Sequence, residues 1–101
     1  MMYVKIHSSG ERFQQRAVIA VCDAVLIGKK IKGKNIEITA TEHFYKGEKK
    51  SAAEVIPLLR DATNCNLLGK GAVEAGIAAG IINKKAVIMI GEVPYAHAIS
   101  A

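Results

Sequence analysis

Met2-Tyr3-Val4-Lys5-Ile6-His7 alternates apolar and polar positions with the period of two that a strand presents to a core, and Ser8-Ser9-Gly10 follows as a turn. Ala17-Val18-Ile19-Ala20-Val21-Cys22 is nearly continuous in apolar residues over a strand's length, the pattern of a strand buried on both faces. Together the two predict an antiparallel hairpin. Val25-Leu26-Ile27 is apolar but short and ends at Gly28, and the lysine-rich stretch after it, with Gly33 and Asn35, reads as a loop. Ile36, Ile38 and Ala40 alternate with Glu37 and Thr39, which predicts a half-buried strand.

Ser51-Ala52-Ala53-Glu54 matches a capping box, and Val55, Leu58, Leu59 and Ala62 follow at the spacing of an amphipathic helix. Pro57 lacks a backbone donor, so that helix either kinks there or begins a turn later. A second helix is predicted from about Lys70 to Ala79, with Val73, Ile77 and Ile81 along one stripe. Gly69, Ala72, Gly76 and Gly80 form a stripe of small residues beside it. Gly76 in mid-helix costs about 1 kcal/mol relative to alanine, which suggests close backbone approach to a sheet or another helix. Ala86-Val87-Ile88-Met89-Ile90 predicts another buried strand, ended by Gly91 and Pro94, with an extended tail from Tyr95. The order is β-β-β-α-α-β. Strands before helices point to an α+β two-layer domain over residues 1–101, a mostly antiparallel sheet of about four strands with two helices.

Charge adds a direction. Lys and Arg number 14 against 9 Asp and Glu, a net charge of +5 in 101 residues, and all of the excess lies in the first half. Lys29, Lys30, Lys32 and Lys34 form one cluster; Lys46, Lys49 and Lys50 form a second. On one face, the two would attract a polyanion and raise its on-rate. The competing reading is a solvated surface, since eleven Lys to three Arg is poor in the planar fork that specific phosphate and base contacts prefer.

Most chemistry is argued down by spacing. Gly69-Lys70-Gly71-Ala72-Val73-Glu74 lacks the third glycine of a dinucleotide fingerprint and the Gly-Lys-Ser/Thr of a P-loop. Cys22, Cys65, His7, His43 and His97 are too far apart in sequence for a paired zinc motif, so no metal or cofactor is expected. Two cysteines do not make a disulfide scaffold, which sets a reducing cytoplasm as the expectation, and no run reaches the length of a membrane span. Asp23, after a buried strand, reads as a residue that bonds backbone donors. In His43-Phe44-Tyr45-Lys46-Gly47-Glu48-Lys49-Lys50, two aromatics stand beside three lysines in an expected loop. That mix suits stacking on unpaired bases with phosphate contacts, unless Phe44 and Tyr45 are anchors in the core.

These segments together resemble the small archaeal family known as domain of unknown function 424. The resemblance rests on Val4-Lys5-Ile6-His7, on Val21-Cys22-Asp23 with Leu26-Ile27-Gly28-Lys29, and on Phe44-Tyr45-Lys46-Gly47. It continues through Ala62-Thr63-Asn64 with Asn66-Leu67-Leu68-Gly69, Ala72-Val73 and Gly91-Glu92-Val93-Pro94. The family pattern carries a histidine directly after the proline, where this chain has Tyr95, with His97 two residues on. The resemblance implies an archaeal cytoplasmic α+β protein and an association with the accessory proteins of translation. It supplies no activity.

The leading expectation is a non-enzymatic module that binds RNA or a ribosomal particle. Lys29, Lys30, Lys32, Lys34, Lys46, Lys49 and Lys50 would contact phosphates, and Phe44 or Tyr45 a base. The alternative is a small-ligand site or enzyme in which His7, Cys22, Asp23, Asn64 and Asn66 converge on one pocket, with Asn64–Gly69 as a loop. A third is an adaptor or homo-oligomer that uses the small-residue helix stripe.

Overall fold

The computed structural model describes residues 1–9 and 16–99. Two long strands, β1 (Met2–Ser9) and β2 (Arg16–Asp23), pair antiparallel from Met2↔Asp23 to Ser9↔Arg16. The hairpin is as the alternation predicts; Gly10 of its expected turn lies outside the described residues. A short 3-10 turn, Ala24–Leu26, leads to β3 (Lys30–Lys32) and β4 (Glu37–Thr39), which pair as a separate small sheet. The lysine-rich stretch expected to be a loop is thus partly strand, because Ile31 alternates with Lys30 and Lys32 and is buried.

The stretch 43–50 also differs from the expected loop. It forms α1 (Glu42–Tyr45), capped by Thr41, and β5 (Glu48–Lys50), which pairs with β1. The helix α2 (Ala52–Arg60) starts at its capping box, with Glu54 N bonded to Ser51 and Ser51 N bonded to Glu54, and it runs through Pro57.

The largest correction is β6 (Asn64–Leu68). It is no loop but an inner strand, parallel to β2 through Ile19↔Cys65 to Cys22↔Leu68. Cys65 and Leu67 are buried on one side of it, while Asn64 and Asn66 are half-buried on the other. Gly69, at a φ of 109°, then turns the chain into α3 (Lys70–Ala78). A 3-10 turn, Lys84–Ala86, precedes β7 (Ile88–Ile90), and β8 (Val93–Ile99) replaces the expected extended tail as an inner strand.

The main sheet therefore has six strands in the order β5-β1-β2-β6-β8-β7, antiparallel except for β2–β6. The α+β class holds, with three helices and two sheets rather than two helices and about four strands. Nor are there only two layers. On one face α2 and α3 bury Val55, Leu59, Ala72 and Val73 against Val4, Val21, Cys65 and Leu67. On the other, the β3–β4 hairpin and α1 bury Ile31, Ala40 and Tyr45 against Ala20, Cys22, Leu68 and Ile90. No described helix is long and apolar enough to cross a membrane.

Candidate functional site

The hairpin-and-α1 face carries most of the chemistry-bearing side chains. Alternation along β1 sends Tyr3, Lys5 and His7 to that face. His7 stacks on Phe44 with ring centroids 4.7 Å apart, and its Nε2–H donates to the Phe44 carbonyl at 2.7 Å. Lys5 Nζ donates to the carbonyl of His43 at 2.5 Å. Two ammonium groups approach the Tyr3 ring, Lys49 at 5.7 Å and Lys46 at 6.0 Å from its centroid. Helix α1 thus ties itself to β1 and brings the aromatic and basic residues of two segments into one corner.

Beside this corner, Tyr45 is 2% exposed and is the anchor of α1. Its hydroxyl donates to Asn66 Oδ1 at 2.5 Å, and Asn66 Nδ2 donates to Tyr95 Oη at 3.0 Å. Burial pushes the Tyr45 hydroxyl well above the usual phenol range, with Tyr95 and Cys22 adding to it. Beyond Tyr45 the same face carries Val18 and Asn64, half-buried, and exposed His97, the register partner of Asn66. Asn64 Oδ1 is buried and accepts a hydrogen bond from no described residue.

The expected pocket is split. His7, Cys22, Asn64 and Asn66 share this face, but Asp23 points to the other and accepts hydrogen bonds from Gly71 N at 2.9 Å and Ala72 N at 2.8 Å. Asp23 is the carboxylate that caps α3 from 48 residues away in sequence, so the helix end that could hold an anion already holds one. Cys22 is fully buried, and burial, with the charge of Asp23 second, pushes its thiol up to about 12. A thiol held neutral in an apolar cluster is a poor nucleophile or metal ligand. Cys65 is buried too, which raises its thiol as well. Among the described residues no group of three or more His, Cys, Asp or Glu is placed to hold a metal ion.

The lysine clusters are also divided. Lys30 pairs with Glu37 at 3.4 Å, Lys46 with Glu42 at 3.9 Å and Lys50 with Glu48 at 3.3 Å, so carboxylates stand among them. Gly33, between Lys32 and Lys34, packs on the Ile90–Gly91 backbone beside β7, whereas Lys49 and Lys50 lie on β5 at the opposite edge. Five strand spacings separate those edges, about 24 Å. Lys32 and Lys34 therefore stand far from the second cluster, while Lys29, whose carbonyl accepts from Ala40 N just before α1, lies nearer to it. Tyr45, being buried, offers no face to a base; Phe44, with one face under His7, offers at most the other. Of the small-residue stripe, Gly69, Ala72 and Gly76 are buried, Gly76 against the chain's own Leu67 and Ile82, while Gly80 is exposed.

The sequence reading missed Tyr3, Lys5 and His97. The period of two that places them was legible in β1; in β8 it was hidden by Pro94 and by the short side chains Ala96 and Ala98.

A family model described as "Protein of unknown function (DUF424)" matches residues 11–100. The crystal structure of an uncharacterised conserved protein from Methanopyrus kandleri superimposes with a TM-score of 0.82 at 23% identity, covering 99% of this chain and 93% of that one. At that identity the likeness speaks for the fold. A comparison with curated proteins finds none that matches.

Proposed function

This chain belongs to the DUF424 family of proteins of unknown function, and from that premise we propose that it is a non-enzymatic RNA-binding protein acting as an accessory to translation. Its site is the corner where β1, α1 and β5 meet, together with the polar half-face next to it. The observation that carries this reading is the clustering of Tyr3, Lys5, Lys46, Lys49 and the His7–Phe44 stack at one corner. Ammonium groups there neutralise phosphates, while ring faces accept unpaired bases. Exposed His97 stands next to that corner on the same pleated surface as Asn64 and Asn66, with an imidazole suited to a base edge. The hairpin lysines Lys29, Lys30, Lys32 and Lys34 stand outside this corner, on and beside β3, and act through the long-range field. Buried Cys22 and the occupied carboxylate of Asp23 give an enzyme reading no support.

The test is fluorescence anisotropy with single-stranded and duplex RNA over a range of salt. Single-stranded RNA binds more tightly, and affinity falls with salt. Substituting Lys5, Lys46 and Lys49 together by Glu lowers both the affinity and the salt slope, whereas the same change at Lys29, Lys30, Lys32 and Lys34 has the smaller effect. Absence of binding at low salt overturns RNA binding, and an equal effect of the two variants overturns this location for the site. Sedimentation of the native protein with ribosomal particles tests the translation association separately.

A further inference from the structure

The two edges of the main sheet are built in opposite ways. β5 reads Glu48-Lys49-Lys50, the charged composition that keeps an edge strand from pairing with another chain. β7 reads Ile88-Met89-Ile90, and its Ile88 and Met89 are 51% and 56% exposed. Its inner side pairs with β8, the hairpin backbone at Lys32–Gly33 packs on its Ile90 end, and no described strand pairs with its outer side. Alternation buries Ile90 under the hairpin and turns Met89 to the helix face, where it lines an apolar groove of about 320 Å³ with Val73, Ile77 and Val87. Lys70 and Lys84 border that groove against one carboxylate, Glu74, and Lys85 stands exposed just before the strand.

We propose that β7 accepts an extended segment of another protein as a seventh strand, and that the segment carries alternating apolar residues with Asp or Glu beside them. Main-chain hydrogen bonds to β7 supply affinity, and alternate side chains of the segment enter the groove beside Met89. The surplus of ammonium groups around the groove selects the acidic residues. A second copy of this chain fits less well. A three-residue strand is only about 10 Å long. Its pairing alone falls far short of the roughly 1,200 Å² of a stable interface, and each copy carries a net charge of +5.

The experiment is selection of a random peptide display library on the full chain, followed by titration of one enriched synthetic peptide. Enriched sequences are expected to alternate apolar residues and to carry Asp or Glu. Affinity is expected to fall about tenfold or more in Met89→Lys and Ile88→Lys, whose side chains are exposed so that folding is retained, and severalfold in the double variant Lys84→Glu, Lys85→Glu. Amide exchange of residues 88–90 is expected to slow when the peptide binds. No enrichment, an enriched class without acidic residues, or affinity unchanged by Met89→Lys each overturns the proposal. So does sedimentation of the wild-type chain as a dimer that Met89→Lys dissociates, because the edge is then covered by a second copy.

Discussion

Asn66 shows how much one polar side chain can decide. On β6 it accepts from Tyr45 and donates to Tyr95, and so satisfies a hydroxyl that the core would otherwise leave unpaired. Replacing it by leucine strands the Tyr45 hydroxyl and costs about 1–3 kcal/mol. Adding Tyr45→Phe removes the stranded group, so urea unfolding of the two single variants and the double variant is expected to show a coupling of about 1 kcal/mol. Cys22 makes a second residue-scale case, through pH. Its thiol ionises near 9.0 in the unfolded chain but only at about 12 in the fold. The stability this contributes is fully present below pH 9.0 and is lost as pH rises toward about 12. Stability curves across that window are expected to fall less steeply in Cys22→Ala than in the parent. At neutral pH a thiol reagent is expected to leave both cysteines unreacted until the chain unfolds.

At the scale of elements, Gly76 measures the distance between propensity and packing. Mid-helix glycine is worth about 1 kcal/mol less than alanine, so the sequence alone favours Gly76→Ala. In the fold an added Cβ meets Leu67 Cδ1 at 2.4 Å and Ile82 Cγ1 at 2.8 Å. Both side chains are buried, so overpacking of about 1–3 kcal/mol outweighs the gain, and thermal melting is expected at a lower temperature. The approach suggested by that glycine is to the sheet. Elements whose pattern is local were legible in the same way: β1 and β2 from apolar runs, α2 from Ser51 and Glu54, α3 from its apolar stripe. Those set by partners were not. β6 looks like a loop because Asn64 and Asn66 fill one face of its alternation, and only Tyr45 and Tyr95, far off in sequence, make the polar face tolerable. Helix α3 has a glycine at its N-cap and looks uncapped until Asp23 arrives from β2. Half of the candidate corner was visible in the run His43–Lys50; that α1 would lay it on Tyr3, Lys5 and His7 was not, since those contacts span 37 residues or more.

Across the whole molecule, the two proposed surfaces lie at opposite edges of one sheet, the basic-aromatic corner at β1–β5 and the apolar edge at β7. About 24 Å of paired strands lies between them, and that interior is apolar and close-packed, with Val21, Leu67, Leu68 and Ala96 each 0–1% exposed. A sheet of this kind offers one arrangement rather than two, and coupling between distant sites needs an element with two. Nothing is therefore expected to pass from one edge to the other. Lys46→Glu with Lys49→Glu should leave the affinity for a β7 peptide unchanged, and Met89→Lys should leave RNA affinity unchanged. The variant carrying all three changes should show each ligand's own loss, unchanged to within about 0.5 kcal/mol. Titration of RNA with and without saturating peptide checks the same point without mutation. An RNA affinity that moves with peptide would mean that the two ligands share a surface or that the sheet has a second state, whereas independence makes the chain a bridge that holds an RNA and a protein segment at a fixed separation.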